Sequence, residues 1–329
     1  MKVLLCVRQD YYRNFAVDSI KVIKTAEYLR KLGVIVDIND GSIYDYSKYD
    51  LVHLFNIDTT GETYKYYKIA HFYKKILVIS PMHWDMKKYQ MLNNKTESMG
   101  LYEKCSSYKE EILKKSKVII CNSELEKDII KKEFNVNTKC TVIYNGVQVE
   151  NDDIPLYNFT DRYNLNNYAL CVGRICEDKN QLALCGICEE LGKQLVLIGN
   201  VNDNEYLKKC TNFKNVIYLG FMDSYNIYNA YRFAKVHVNP SFIAMPGLSS
   251  LEAASSGCNI VSTEEGCANE YFKDMAIYFN PSENSSLFEA VKKGFEKKKD
   301  NILKNYVNEN YNFEKTTNDL YKTYLEIIG

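Results

Sequence analysis

No excess of either charge sign marks this chain of 329 residues: 42 Lys and Arg stand against 42 Asp and Glu. That balance excludes an overall polybasic nucleic-acid footprint, so no nucleic-acid partner is expected. No apolar run approaches the roughly 18–20 residues that a spanning helix needs. No secretory leader pattern precedes Arg8 and Asp10, because Met1-Lys2-Val3-Leu4-Leu5-Cys6 runs straight into them. The 11 cysteines are odd in number and scattered from Cys6 to Cys267, unlike a secreted disulfide framework, and a reducing cytoplasm is the expected setting. The close pair Cys185 and Cys188 sits in an apolar helical pattern and has no second pair to complete a metal site, so it is expected in the core. Three further absences narrow the chemistry. There is no Asp-x-Asp triplet, no phosphate loop ending in Gly-Lys-Ser/Thr, and no metal-spaced cluster among His53, His71, His83 and His237. Neither a metal nor any other cofactor is expected.

What is present describes a globular protein. Hydrophobic residues make up 46% and charged ones 26%, outside the disordered and low-complexity classes, and the length favours two domains. Residues 1–150 carry 24 basic and 19 acidic side chains, a net of +5, leaving −5 for the remainder. Short β-branched runs predict strands at Lys2–Val7, Val34–Ile38, Leu51–Phe55, Ile76–Ser80, Val118–Cys121 and Thr141–Tyr144. A second series follows at Ala169–Val172, Gln194–Ile198, Val216–Leu219, Val236–Asn239, Asn259–Ser262 and Ile277–Phe279. Helical patterns such as Ser19–Leu32, Tyr102–Lys115, Glu124–Phe134, Lys179–Leu191 and Leu248–Ser256 lie between them, and this alternation argues for parallel sheets.

The fold class is therefore α/β, with two Rossmann-like doubly wound domains at 1–150 and 151–311. Periodicity fades between them over Val147–Asn166, read as a linker, and a C-terminal helix at 312–329 is expected to cross back onto the first domain. Open α/β sheets bind ligands outside the carboxyl ends of their strands, which places the expected site in a cleft where the two domains face each other.

Two strand-to-helix turns carry the chemistry. In Gly173-Arg174-Ile175-Cys176-Glu177-Asp178-Lys179-Asn180 an Arg and a Lys share one turn beside the positive end of a helix, a receptor suited to a phosphate or diphosphate. The same two side chains would equally serve as solvated surface charges. The second turn runs through Asn239-Pro240-Ser241 to Ala244-Met245-Pro246-Gly247-Leu248-Ser249-Ser250-Leu251-Glu252. Gly247 lets backbone amides approach an anion, Leu248 and Ser249 open a helix with free amides, and Glu252 one turn further on could accept from a ribose diol. An acidic residue near a helix start is also favourable without any ligand.

With these turns go Tyr144-Asn145-Gly146-Val147, Leu197-Ile198-Gly199, Tyr218-Leu219-Gly220, Leu251-Glu252-Ala253, Gly257, Gly266 and Glu270. The ordered set resembles glycosyltransferase family 4, the group 1 glycosyl transferases, strongly over Thr141 to Pro281. The first half matches more thinly, through Val52-His53, Ser80-Pro81-Met82-His83 and Val118–Ser123. The resemblance implies a GT-B fold and a retaining, metal-independent transfer of a hexose from a nucleotide-diphosphate sugar to a glycan or lipid-linked sugar, with UDP favoured over GDP. It assigns Arg174 and Lys179 to the leaving diphosphate. Gly173, Met245, Pro246, Gly247, Leu248 and Ser249 join them around the donor, Glu252 holds the ribose, and His83 lies on the acceptor side near the transferred sugar.

Two departures stand out. The family usually carries a Glu eight residues before the one matching Glu252; here the catalytic position holds Ala244, through deliberate replacement or through divergence. The family's Gly-rich loop after the first strand is replaced by Gln9-Asp10-Tyr11-Tyr12-Arg13-Asn14. A catalytically silent nucleotide-sugar-binding protein and a nucleotide-sugar epimerase are the competing readings. The basic, aromatic segment Tyr64–Lys75 suits either an ordinary amphipathic helix or a peripheral contact with anionic headgroups at the inner face of a membrane.

Overall fold

Among the described residues, twelve strands assemble into two six-stranded sheets in which every neighbouring pair is parallel. The protein is seen in a computed structural model, which describes residues 1–13, 16–85, 96–149, 155–245 and 247–329, with backbone alone for 96–103. The first sheet holds β1 (Lys2–Cys6), β2 (Ile35–Asn39), β3 (Leu51–Phe55), β4 (Ile76–Ser80), β5 (Val118–Cys121) and β6 (Cys140–Val142), in the order β2-β1-β3-β4-β5-β6. Helices α1 (Val17–Lys31), α2 (Thr60–Phe72), α3 (Thr96–Lys115) and α4 (Glu124–Phe134) alternate with these strands.

The second sheet holds β7 (Ala169–Val172), β8 (Leu195–Ile198), β9 (Val216–Tyr218), β10 (Val236–Asn239), β11 (Asn259–Thr263) and β12 (Ile277–Phe279), in the order β12-β11-β10-β7-β8-β9. Its helices are α5 (Phe159–Tyr163), α6 (Gln181–Glu190), α7 (Asn204–Thr211), α8 (Ser224–Phe233), α9 (Leu248–Ser255), α10 (Ala268–Phe272), α11 (Asn284–Glu296) and α12 (Ile302–Asn310), and α13 (Phe313–Ile328) follows.

The strands form where both faces of a β-branched run can be covered, as a parallel sheet demands. β1 shows the division: Leu4 and Cys6 point into a cluster with Tyr66, Tyr67 and Ala70 of α2. Val3, Leu5 and Val7 point the other way, against Val22, Ala26 and Leu29 of α1 and Leu320 and Tyr324 of α13. Burying a Leu such as Leu320 contributes roughly 2 kcal/mol. The second unit's core includes Leu195, Leu197, Val236, Val238, Leu287 and Val291, with Cys185 and Cys188 buried among them.

Contacts divide the chain into Met1–Gly146 with Phe313–Gly329, and Val147–Asn312. The boundary read from the sequence was 150/151, whereas the division by contacts falls between Gly146 and Val147. α13 is tied into the first unit by more than apolar packing: the buried Tyr324 hydroxyl lies 2.5 Å from His53 Nδ1, and His53 Nε2 lies 2.9 Å from Ser80 Oγ. Within the stretch read as linker, Phe159–Tyr163 forms a short helix, because the Asn158 side chain accepts from the amides of Thr160 and Asp161 at 3.1 and 3.3 Å. The helix expected from Lys179 begins instead at Gln181. Asn180 takes the left-handed conformation, φ 54°, after a single 3₁₀ turn at Glu177–Lys179.

Strand order reverses direction at one place in each sheet, between β1 and β3 and between β7 and β10. Such switch points open a crevice at the strands' carboxyl ends. Beside the second of them the turns after β7 and β8 touch backbone to backbone. Gly199 has φ +147°, and a Cβ there would sit 2.0 Å from the Gly173 carbonyl oxygen. Gly199→Ala is expected to lower stability by about 3 kcal/mol through strain and overpacking, read as a lower urea midpoint at unchanged slope.

Candidate functional site

The turns singled out in the sequence leave the second sheet at the β7/β10 switch point. The first is pinned by Ile175, whose amide donates to the Asn200 carbonyl at 2.8 Å. The Gln181 side chain closes the turn by donating to the Arg174 carbonyl at 2.7 Å. Arg174 is exposed and Lys179 half-buried. Among the described residues neither side chain makes a hydrogen bond or an ion pair, although Glu177 and Asp178 lie between them in sequence. Two cations held in one turn without a carboxylate partner form a standing positive charge.

The second turn supplies donors. Gly247 caps α9 at φ 80° with no side-chain bond, and a Cβ there would stand 2.8 Å from Asn239 Nδ2. The amides of Ser250 and Leu251 both donate to the Gly247 carbonyl, at 3.0 and 3.2 Å. Those of Leu248 and Ser249 are left at the positive end of the helix. The Ser250 hydroxyl is fully buried and has no hydrogen-bond partner among the described residues; a Gly247 Cβ would lie 3.4 Å from it. Leu248 is buried, while Met245 and Ser249 are half-buried. Pro246 lies outside the described residues.

Glu252 is half-buried on the second turn of α9, and its Oε2 accepts from the Tyr231 hydroxyl at 3.1 Å. Tyr231 in turn packs edge-on against His237 of β10, with ring centroids 5.6 Å apart. Burial and the neighbouring Glu252 charge push the Tyr231 phenol well above its usual range. Burial lowers His237 to about 3, and neither of its ring nitrogens has a hydrogen-bond partner among the described residues. Tyr231 was not found by sequence reasoning.

Ala244 is buried, its amide donating to the Glu265 carbonyl and its carbonyl accepting from the Cys267 amide, both at 3.0 Å. It therefore forms a one-residue parallel bridge with Gly266. No carboxylate stands at this position.

In the first unit His83 follows β4 and is fully buried. Its Nδ1 lies 3.0 Å from Asp58 and its Nε2 2.9 Å from Glu133, while Lys109 donates to Asp58 at 2.6 Å. Burial alone would lower His83, but hydrogen bonds to the two carboxylates outweigh it and lift the group to about 9. The His83 amide donates to buried Glu126 at 2.8 Å, which also accepts from the Asn122 amide at 2.5 Å. In this arrangement both ring nitrogens that could meet a sugar hydroxyl are engaged by protein carboxylates. His83, which the resemblance places on the acceptor side, thus has both ring nitrogens held by Asp58 and Glu133.

Comparison with known proteins agrees with the second unit's geometry. Residues 166–296 match the family model described as glycosyl transferases group 1. An uncharacterized glycosyltransferase of Methanocaldococcus jannaschii is 27% identical over 259 residues, 71% of this chain and 64% of its own length. The aligned stretch thus spans less than two thirds of that relative. Among solved structures, sucrose-phosphate synthase from Thermosynechococcus elongatus superposes with a TM-score of 0.79 at 14% identity over 99% of both chains. The catalytic domain of starch synthase IV from Arabidopsis thaliana, bound to ADP and acarbose, does so at 0.72 and 11%, again over 99% of both. The fold is GT-B, and the chain resembles the group 1 glycosyltransferases.

Proposed function

We propose, with that resemblance as premise, that the chain is a retaining glycosyltransferase moving a hexose from a nucleotide-diphosphate sugar to a hydroxyl of a glycan or lipid-linked sugar. The observation that carries this reading is that two cations without ion-pair partners among the described residues and an open helix N-terminus leave one sheet at one switch point. Negative charge builds on the diphosphate as its bond to the sugar breaks, and fixed positive groups stabilise that charge most in the transition state. Arg174 and Lys179 would neutralise the leaving group and the amides of Leu248 and Ser249 would cradle it, with the Ser250 hydroxyl as a further donor. Glu252 would hold the ribose. This arrangement supplies positive charge without a metal ion. ADP in the starch synthase structure supports a nucleoside diphosphate in this fold, and UDP is the one favoured here.

A peripheral place at the inner face of a membrane belongs to the same proposal, resting on Lys65, Lys68 and Phe72 exposed along α2. Among the described residues no helix is long and apolar enough to cross a membrane.

Ala244 favours a second reading, a nucleotide-sugar-binding protein without transfer. Calorimetric titration with UDP, GDP, ADP and dTDP, without metal, tests both. Under the transferase reading one diphosphate binds best, and Ala244→Glu raises transfer from the matching nucleotide sugar by at least about tenfold. Tight binding with no transfer or hydrolysis by either form selects the binder. Binding to none of the four overturns the assignment of Arg174, Lys179 and Glu252.

A further inference from the structure

We infer that Asp58 is a specificity-determining residue of the acceptor site, the carboxylate that takes a hydroxyl of the acceptor sugar. This rests on the reading of the chain as a transferase to a glycan or lipid-linked sugar. Asp58 lies in the turn between β3 and α2, at the carboxyl end of a strand that flanks the β1/β3 switch point, where open sheets bind ligands. Its turn is tied down on several sides. The amides of Asn56 and Ile57 donate to the carbonyls of Ser80 and Pro81 at 3.0 and 2.8 Å. The Asn56 carbonyl accepts from the hydroxyls of Thr59 and Thr63 at 3.0 and 2.7 Å, and the Asp58 amide donates to Asn56 Oδ1 at 3.0 Å. Asn56 takes φ 67° in this turn and Met82 φ 53° in the turn beside it. Left-handed backbone at residues other than glycine persists where the surroundings over-determine it, and such positions gather at ligand sites.

Two buried cations hold the carboxylate from behind. His83 Nδ1 and Lys109 Nζ both reach Asp58 Oδ1, at 3.0 and 2.6 Å. Their side chains are 0% and 4% exposed, whereas that of Asp58 is 42% exposed. Among the described residues Oδ2 accepts no hydrogen bond. A carboxylate that only neutralised the two cations could be enclosed with them; this one keeps an oxygen free on a fixed mount. Burial would raise Asp58, but the hydrogen bonds and charges of His83 and Lys109 outweigh it and lower the group. The free oxygen therefore stays an ionised acceptor and a poor general base. Glu133 on the far nitrogen of His83 sets two carboxylates against two cations. With the charges cancelled a cation gains little, and a neutral hydroxyl donor is the ligand that fits.

The experiment titrates the full chain with the methyl α- and β-glycosides of glucose, galactose and mannose, and with their monodeoxy analogues, by ligand-observed NMR. The unaltered protein is expected to bind at least one glycoside, and removal of one particular hydroxyl should weaken that glycoside by about tenfold, as for a hydrogen bond to a charged group. Asp58→Asn should bind the parent glycoside about tenfold less tightly and no longer distinguish it from that deoxy analogue, a coupling that a disturbed fold would not produce. UDP, GDP, ADP and dTDP should bind both forms with affinities within about twofold of each other. Because D58N takes a carboxylate from the buried Lys109, the titration is repeated on Asp58→Asn with Lys109→Met, which is expected to behave alike. Binding of no glycoside by the unaltered protein, or an unchanged hydroxyl preference in either folded variant, overturns the inference. The two levels separate cleanly. A chain that binds none of the four diphosphates fails the transferase reading; one that binds a diphosphate and keeps its hydroxyl preference without the Asp58 carboxylate fails only this assignment.

Discussion

Arg174→Ala is expected to lower transfer by about a hundredfold to a thousandfold, the range seen when one fixed charge-stabilising group is removed from a transition state. It should also weaken nucleoside diphosphate binding by about tenfold while leaving the affinity for the bare nucleoside within about twofold. The split follows from position. Arg174 lies in the turn after β7, exposed and, among the described residues, without an ion-pair partner, so the fold should stand without it. Lys179→Ala should act in the same direction. Because the two cations would serve one diphosphate, the double variant should lose less than the product of the single losses. Equal affinities for nucleoside and nucleoside diphosphate across all three variants would remove the diphosphate from this turn. A loss shared equally by nucleoside and diphosphate would point to a disturbed fold, which the urea midpoint would reveal.

The second large effect is on stability against pH, and two histidines drive it in opposite directions. His83 titrates at about 9 in the folded protein against about 6.5 when unfolded. Its contribution is therefore fully present below pH 6.5 and is lost as pH rises through 9, a total of about 3 kcal/mol. His237, lowered to about 3, is held neutral in the fold but binds a proton readily once unfolded. It takes stability away as pH falls below about 6.5, by about 2 kcal/mol at pH 5. His53, lowered by burial and secondarily by Lys21, adds to the acid side. Urea midpoints between pH 4.5 and 9.5 should trace a maximum with both limbs falling. His237→Phe, which replaces an imidazole without hydrogen bonds by an apolar ring, should flatten the acid limb and raise stability at pH 5. His83→Gln should flatten the alkaline limb and lower stability at pH 6. An alkaline limb unchanged in H83Q would mean that the Asp58–His83–Glu133 cluster does not carry the charge assigned to it.

The strands were legible because a strand buried on both faces must be apolar without interruption. Val118–Cys121 satisfies that rule along its whole length, and Leu51–Phe55 does so except at His53, whose ring nitrogens are bonded to Tyr324 and Ser80. The turn that carries Arg174 was legible as a strand-to-helix turn, because a glycine and a polar run separate the buried strand from the apolar helical pattern that follows. Helix starts were less so. Nothing in Lys179-Asn180-Gln181 announces that Asn180 turns left-handed and delays α6. Least legible were the partners. Tyr231 is one of 28 tyrosines, and its bond to Glu252 depends on how two helices lie on one sheet. Asp58 and Glu133 reach His83 from 25 and 50 positions away, so the carboxylates that hold it cannot be read from its neighbours in sequence.

The return of α13 to the first unit bears on the order in which the protein can form. The core that receives Leu320 and Tyr324 is completed by residues lying beyond the whole of the second unit in the chain. During synthesis the second unit, Val147–Asn312, therefore emerges with every strand of its sheet before the first unit has its last helix. Until then the cluster shared by β1 and α1 lacks Leu320 and Tyr324. Of the two units, the one whose strands come earlier in the chain has its core completed by the later segment.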